Sequence, residues 1–453
     1  MRALAPRRRS TSCCAHERPR GIACTGDAPR HAQGAGGNIP VTRQSETGTG
    51  SERNRSDAAR ALVGSDGSVD AVALTRALIR CRSITPADDG ALDVLEGILK
   101  RLGFTCHRLS FSEPGTAAVD NLYARLGDAG PNFCFAGHTD VVPPGDTAAW
   151  SVDPFAGAVI DDHVIGRGAA DMKGAIGCFI AALADFLKAR GSRFDGSISL
   201  LITGDEEAEA VNGTRKVLDW LAARGTRIDA CLVGEPTSNE AIADMVKIGR
   251  RGSLSAWLRV HGTQGHVAYP DLADNPVHHL VRMLDAIIAA PLDDGSAHFP
   301  PSTLQITTID VDNPVGNVIP AEAQAAFNVR FNDRHRGADV EAWLRARFDQ
   351  AIDRSRGARY ELETRISAES FLSPPGPLSE LVCTAAERVT GRRPVLGTTG
   401  GTSDARFIKD WCPVVELGLL NATAHKVDER VAIADLAALG AIYAGVLDGF
   451  FAP

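Results

Sequence analysis

Asn132-Phe-Cys-Phe-Ala-Gly-His-Thr-Asp140 is an unbroken apolar run that ends on an imidazole and a carboxylate. Two further runs end the same way: Ser197-Ile-Ser-Leu-Leu-Ile-Thr203 leads into Gly204-Asp-Glu-Glu207, and Ala230-Cys-Leu-Val233 into Gly234-Glu-Pro236. Short apolar runs without alternation read as strands buried on both faces. Helical spacing separates them, over about 70–80, 91–102, from Asp171 to about Arg190, and 212–223. Strands alternating with helices imply an α/β fold, a mostly parallel mixed sheet flanked by helices.

Past Arg251-Gly252 the pattern changes. Residues 253–261 alternate polar and apolar, as in a strand with one wet face. A helix at about 275–290, strands at 302–311 and 323–331, and a helix at 339–355 complete a compact α+β unit. The expected organisation is a main domain over 68–251 and 364–453, with 252–363 inserted in it. Residues 1–67 are rich in Arg, Ser, Thr and Gly and lack an apolar period, so they read as a disordered extension. Cys13, Cys14 and Cys24, with His16 and His31, match no common zinc spacing. No continuous apolar core marks a secretory signal there.

Composition narrows the class. A chain of 453 residues with 44% apolar and 23% charged content is an ordinary globular protein, long enough for two domains. The net charge of −8 argues against a nucleic-acid or anionic-membrane surface. No run approaches the roughly 18 apolar residues that span a bilayer. Ten cysteines without a CxxC pair read as reduced thiols of a cytoplasmic protein.

The strand ends carry the chemistry. Ligand sites of open α/β sheets lie beyond the C-terminal ends of the strands. His138, Glu206, Glu207 and Glu235 fall there, Asp171 opens a helix after Gly166-Arg-Gly168, and His425 follows a fourth apolar run. Burying imidazoles and several carboxylates together calls for a cation, so the set reads as a site for two metals. Asp140, two residues past His138, would accept from its other ring nitrogen and fix the tautomer. Glu206 and Glu207 are adjacent and point apart, so one can bind metal while the other stays free as a base. Taken singly, each has a plainer reading: a satisfied histidine, a solvated acidic loop, or, for Asp171, a helix cap.

The segments Phe135-Ala-Gly-His-Thr-Asp-Val-Val-Pro143, Gly166-Arg-Gly-Ala-Ala-Asp-Met-Lys-Gly174, Gly204-Asp-Glu-Glu207 and Gly234-Glu-Pro-Thr237 resemble those of the aminoacylase and carboxypeptidase-type family of dinuclear zinc hydrolases. The resemblance covers about residue 68 to the C-terminus. It implies two Zn²⁺ per subunit, Co²⁺ being a possible substitute. Asp171 would bridge them, His138 and Glu235 would complete one site, and Glu207 and His425 the other. A water activated by the cations would attack an amide, with Glu206 as proton shuttle. It also implies a homodimer made by the inserted domain, in which His266 reaches the partner's active site to stabilise the oxyanion and Asn317 adds an amide.

Gly265-His-Val-Ala-Tyr-Pro270, Thr399-Gly-Gly-Thr-Ser-Asp-Ala-Arg-Phe407 and Leu420-Asn-Ala-Thr-Ala-His-Lys-Val427 narrow the implied substrate, a small N-acyl amino acid, to N-succinyl-LL-2,6-diaminopimelate. Deacylation of acetylornithine or another N-acyl amino acid is the alternative, and a metal-free dimeric binding protein a third reading. A succinyl group presents a carboxylate that a guanidinium can grip, which makes Arg250, Arg251 and Arg330 candidates. Thr402 and Ser403 would meet the amino-acid end. Gly316 and Asp428 stand where such proteins often carry Asn.

Overall fold

The computed structural model describes residues 62–190 and 194–452. The readings placed on residues 1–61, including Cys13, Cys14, Cys24, His16 and His31, lie outside them. Residues 62–67 differ from the expected extension. Val63 is buried and bridges to Val69, and Asp66 accepts from Lys188. A buried valine between Gly64 and Leu62 is too small a signal to register as a period.

The large sheet has eight strands in the spatial order Thr105–Phe111, Val119–Leu126, Ser197–Thr203, Asn132–His138, Ala230–Val233, Val414–Glu416, Met245–Lys247 and Val395–Gly397. The four central strands, from Ser197–Thr203 to Val414–Glu416, run parallel. Antiparallel pairs lie at the Thr105–Phe111 side and between Val414–Glu416 and Met245–Lys247. Period-two side chains divide the core. Phe133, Phe135, Ile198, Leu200 and Leu232 meet the helices Ala71–Arg80, Ala91–Arg101, Gly174–Arg190, Pro377–Thr390 and Ile433–Phe450 on one face. Cys134, Ala136, Leu201 and Cys231 meet Thr214–Ala222 and Ala405–Ile408 on the other. Phe135 stacks on Phe179 with ring centroids 4.2 Å apart.

The helix Ile433–Phe450 is long and apolar enough to cross a membrane by length and composition, contrary to the sequence expectation. Its Leu436, Leu439, Ile442, Tyr443, Val446 and Leu447 are nevertheless buried, and the helix packs on Gly174–Arg190 and Pro377–Thr390. The seven cysteines among the described residues are free thiols.

The smaller sheet is antiparallel, in the order Thr303–Asp310, Glu322–Phe331, Gly252–His261 and Arg359–Ala368. Helices Pro276–Ile288 and Gly337–Ala351 cover one face, around Leu254, Leu280, Phe327, Leu344 and Phe348. The boundary expected at 363/364 cuts through Arg359–Ala368, which pairs with Gly252–His261 along its length. The small unit therefore runs on to Ala368. This edge strand carries charges at alternate exposed positions, and its inward residues are few, so its sequence does not advertise a sheet.

Candidate metal centre

The C-terminal ends of the central strands converge. His138 is the last residue of its strand and is 1% exposed. Its Nδ1 donates to the main-chain oxygen of Asp140 at 2.9 Å. That is a correction to the expected pairing with the Asp140 carboxylate, whose nearest oxygen is 3.6 Å away. The carboxylate is instead accepting from the main-chain N–H groups of Glu206 (3.3 Å) and Glu207 (3.0 Å), and so pins the acidic loop. Burial raises Asp140 to about 6.

With Nδ1 committed, Nε2 of His138 faces Asp171 Oδ1 at 3.1 Å and Glu235 Oε1 at 3.7 Å. His425 repeats the arrangement: its Nε2 lies 3.3 Å from Asp171 Oδ2 and 2.9 Å from Glu207 Oε1. Asp171 thus offers one oxygen to each imidazole. Its backbone is extended (φ −123°, ψ 95°) inside a wide turn, and the helix begins only at Gly174, so a helix-cap role does not apply. His425 sits at φ +62°, a left-handed conformation that histidine adopts more readily than most residues.

With its Nδ1 proton donated to the Asp140 carbonyl, a neutral His138 presents a lone pair at Nε2, and a lone pair 3.1 Å from a carboxylate repels it. Only a proton or a metal ion in between resolves the clash. The titration behaviour agrees. Hydrogen bonds to Asp171 and Glu207 push His425 up to about 10, while Asp171, with Asp140 and Glu206, lifts His138 well above its usual range against the effect of burial. Burial, followed by repulsion from Asp171, raises Glu235 to about 8. Burial works the same way on Asp171, but hydrogen bonds from the two histidines outweigh it and hold that carboxylate low. Protons stand where cations fit, and the N/O donor set suits divalent zinc or cobalt.

Glu206 borders the same space. Donor atoms of His138, Glu206 and Glu235 lie within 4.8 Å of one another, as do those of His138, Asp171 and Glu207. The Glu206 carboxylate accepts no hydrogen bond among the described residues. Burial, then Glu235, raises it well above the usual carboxylate range. Geometry makes it available to a water or a substrate.

Behind the ligands lies a pair that sequence reasoning missed. Arg167 (2% exposed) donates to Glu429 (0% exposed) at 2.7 Å. The other Glu429 oxygen accepts from the N–H groups of Ala170 (2.9 Å) and Asp171 (3.1 Å). Arg167 also donates to the carbonyl of His425 at 3.3 Å. One buried ion pair therefore holds the backbone of two candidate ligands far apart in sequence. Glu429→Ala is expected to lower metal affinity by about 10–100-fold and to cost about 3–5 kcal/mol of stability by stranding the Arg167 charge. Metal titration and denaturant unfolding of the variant check this.

The candidate substrate contacts fare unevenly. Arg250 is 4% exposed and fully engaged: Nε donates to both Glu416 oxygens (3.0 and 2.8 Å), Nη2 to Oε2, and Nη1 to the Gly401 carbonyl at 2.9 Å. Ser403 is buried and donates to Glu416 at 2.6 Å. Both brace the site wall in this structure, with Arg250 Nη2 3.8 Å from Glu235. Glu416, which organises them, ends the Pro413-Val-Val-Glu416 run and carried the same strand-end signal as Glu235. Arg251 reaches Thr303 at 3.4 Å, and Arg330 lies close enough to lower it electrostatically after burial. No carboxylate among the described residues pairs with either guanidinium. Thr402 accepts from Arg406 at 3.0 Å.

His266 and Asn317 come together on a short ribbon of the small unit, where Gly265–His266 pairs with Val318–Ile319 and Val267 N–H donates to the Asn317 carbonyl at 3.1 Å. His266 is exposed, and its Nδ1 accepts from Ala268 N–H at 3.0 Å. Among the described residues no hydrogen bond or ion pair joins either residue to the carboxylate–imidazole set. A Cβ at Gly316 would meet nothing within 4 Å, and Asp428 caps Ser151 through N–H and hydroxyl bonds of 2.8 and 3.0 Å.

A parallel-sheet domain with paired imidazoles and carboxylates at its strand ends, carrying a small antiparallel unit, defines a metal-dependent hydrolase. The chain belongs to peptidase family M20/M25/M40, whose profile matches residues 134–449. Among curated relatives, the succinyl-diaminopimelate desuccinylase of Rhodospirillum centenum is 61% identical over 383 residues, covering 84% of this chain and 98% of the relative. That of Rhodospirillum rubrum is 58% identical over 389 residues, covering 84% and 98%. Of solved structures, an M20 family metallo-carboxypeptidase from Sulfolobus solfataricus superposes with a TM-score of 0.64 at 16% identity, covering 83% of this chain and 98% of the other. A dinuclear metal-binding M20 peptidase from Bacillus subtilis gives 0.59 at 15% identity, covering 84% and 99%. These two share the fold.

Proposed function

We propose that the chain hydrolyses N-succinyl-LL-2,6-diaminopimelate to succinate and LL-2,6-diaminopimelate, a cytoplasmic step toward lysine and cell-wall precursor. The observation that carries this reading is 61% identity across 98% of a relative bearing that desuccinylase name. His138, Asp171 and Glu235 would hold one zinc, and His425, Asp171 and Glu207 the other. Bound there, two divalent cations supply Lewis-acid polarisation of the amide carbonyl and lower the pKa of water. Glu206 takes the proton of the attacking water and returns it to the departing amine. Arg251 and Arg330, without a carboxylate partner among the described residues, would meet an anionic group. Parallel assays on N-succinyl-LL-diaminopimelate and acetylornithine test the reading: preference for the succinyl compound is expected, and preference for the acetyl compound overturns it.

The site is read as shared between two subunits. His266 and Asn317 are exposed and detached from the set, Thr303–Asp310 is an open sheet edge, and Trp257, Tyr269, Leu272 and Ile309 of the same unit are exposed. In trans, His266 would stabilise the oxyanion. Mixing inactive His266→Ala with inactive Glu206→Gln and exchanging subunits is expected to restore about a quarter of wild-type turnover, since half the dimers then carry one intact site. Absence of recovery in a verified heterodimer rejects a contribution across the interface.

A further inference from the structure

Lys247 ends the Met245–Lys247 strand, at the same end of the sheet as Glu235 and Glu416. Its side chain is 3% exposed, yet among the described residues no hydrogen bond or ion pair engages its ammonium. Burial, then Arg250, pushes the group down to about 8 against the pull of Glu416, Glu235 and Asp171, none of which bonds to it. Glu416, its neighbour across the strand pair, is already engaged by Arg250 and Ser403.

Its tip is close to open space. A Cβ built on Gly400 would stand 2.7 Å from Lys247 Nζ and 3.2 Å from Arg250 Nη1. Gly400 is exposed at φ +97°, and a Cβ on the next residue, Gly401, would meet nothing within 4 Å. The ammonium thus lies just under a glycine loop that faces outward beside the carboxylate–imidazole set. Holding an ammonium largely out of water without a bonded partner is costly, and an incoming anion relieves that cost.

Resting on the reading of the site as an N-acyl-amino-acid hydrolase, we propose that Lys247 binds a carboxylate of the substrate. Two carboxylate sources exist, the acyl chain and the amino acid, and both present the same chemistry to a compact point charge. Lys247 lies on the large sheet, apart from Arg330 on the small sheet and Arg251 in the link just ahead of it.

Wild-type, Lys247→Met and Lys247→Arg proteins, zinc-loaded and matched for metal content, are compared on three substrates. These are N-succinyl-LL-diaminopimelate, its N-butyryl analogue without the acyl carboxylate, and N-succinylcadaverine without the amino-acid carboxylates. The Met variant is expected to raise KM for the full substrate about tenfold or more with little change in kcat. The Arg variant recovers part of the loss. The analogue whose KM ignores the substitution lacks the carboxylate that Lys247 holds. An unchanged KM on all three substrates in folded, metal-replete Lys247→Met overturns the proposal. If that variant does not fold, Lys247→Gln is scored by the same rule.

Calorimetric binding of succinate and of LL-diaminopimelate separates this inference from the assigned reaction. A wild-type protein that cleaves no succinyl substrate, but binds one of these ligands more tightly than the Met variant, upholds Lys247 and rejects the desuccinylase reading. Equal binding by both proteins rejects Lys247.

Discussion

Glu206→Gln is expected to keep its fold and both metals and to lose turnover by about 10³-fold. The substitution is nearly isosteric, and the Glu206 carboxylate accepts no hydrogen bond among the described residues, so little structure depends on its charge. What disappears is the group that accepts and returns a proton. Its raised affinity for protons, set by burial and by Glu235, is the property a base needs near neutral pH. Steady-state kinetics with parallel metal analysis decide the matter. Wild-type kcat in a metal-replete variant removes Glu206 from proton transfer, whereas loss of metal reassigns it as a ligand.

Asp171→Ala is expected to abolish activity together with tight metal binding at both positions. Among the described residues Asp171 alone offers an oxygen to each imidazole, Oδ1 toward His138 and Oδ2 toward His425. Removing any other acid of the set leaves one pair of donors intact. Glu235→Ala is the matched control, expected to weaken one metal of two. Metal titration read by equilibrium dialysis distinguishes a bridge from an ordinary ligand: retention of one tightly held ion by Asp171→Ala rejects the bridging role.

Much of this centre could be read before any coordinates. The strands behind His138, Glu207 and Glu235 are uniformly apolar because the sheet is covered on both faces, and that is a strong local signal. Other features depend on partners distant in the chain. Arg250 looked like a free guanidinium because nothing near it in sequence reveals Glu416. Asp140 looked like the orienting carboxylate of His138, but one strand-end turn swings its side chain toward the N–H groups at 206 and 207 and leaves its carbonyl for the imidazole. Arg167 and Glu429 are ordinary charged residues until 262 positions close into one 2.7 Å contact. The strand Arg359–Ala368 escaped notice because an exposed edge needs few apolar residues.

The Val414–Glu416 strand lies between Ala230–Val233 and Met245–Lys247, two strands made much earlier in synthesis. While the chain is still emerging from the ribosome, the sheet must hold a vacant slot there, with two strand edges unsatisfied. His425 and Glu429 arrive later still. A metal that needs Asp171 and His425 together would find its donors complete only near the end of synthesis, and a chain halted before Val414 is expected to expose sticky edges.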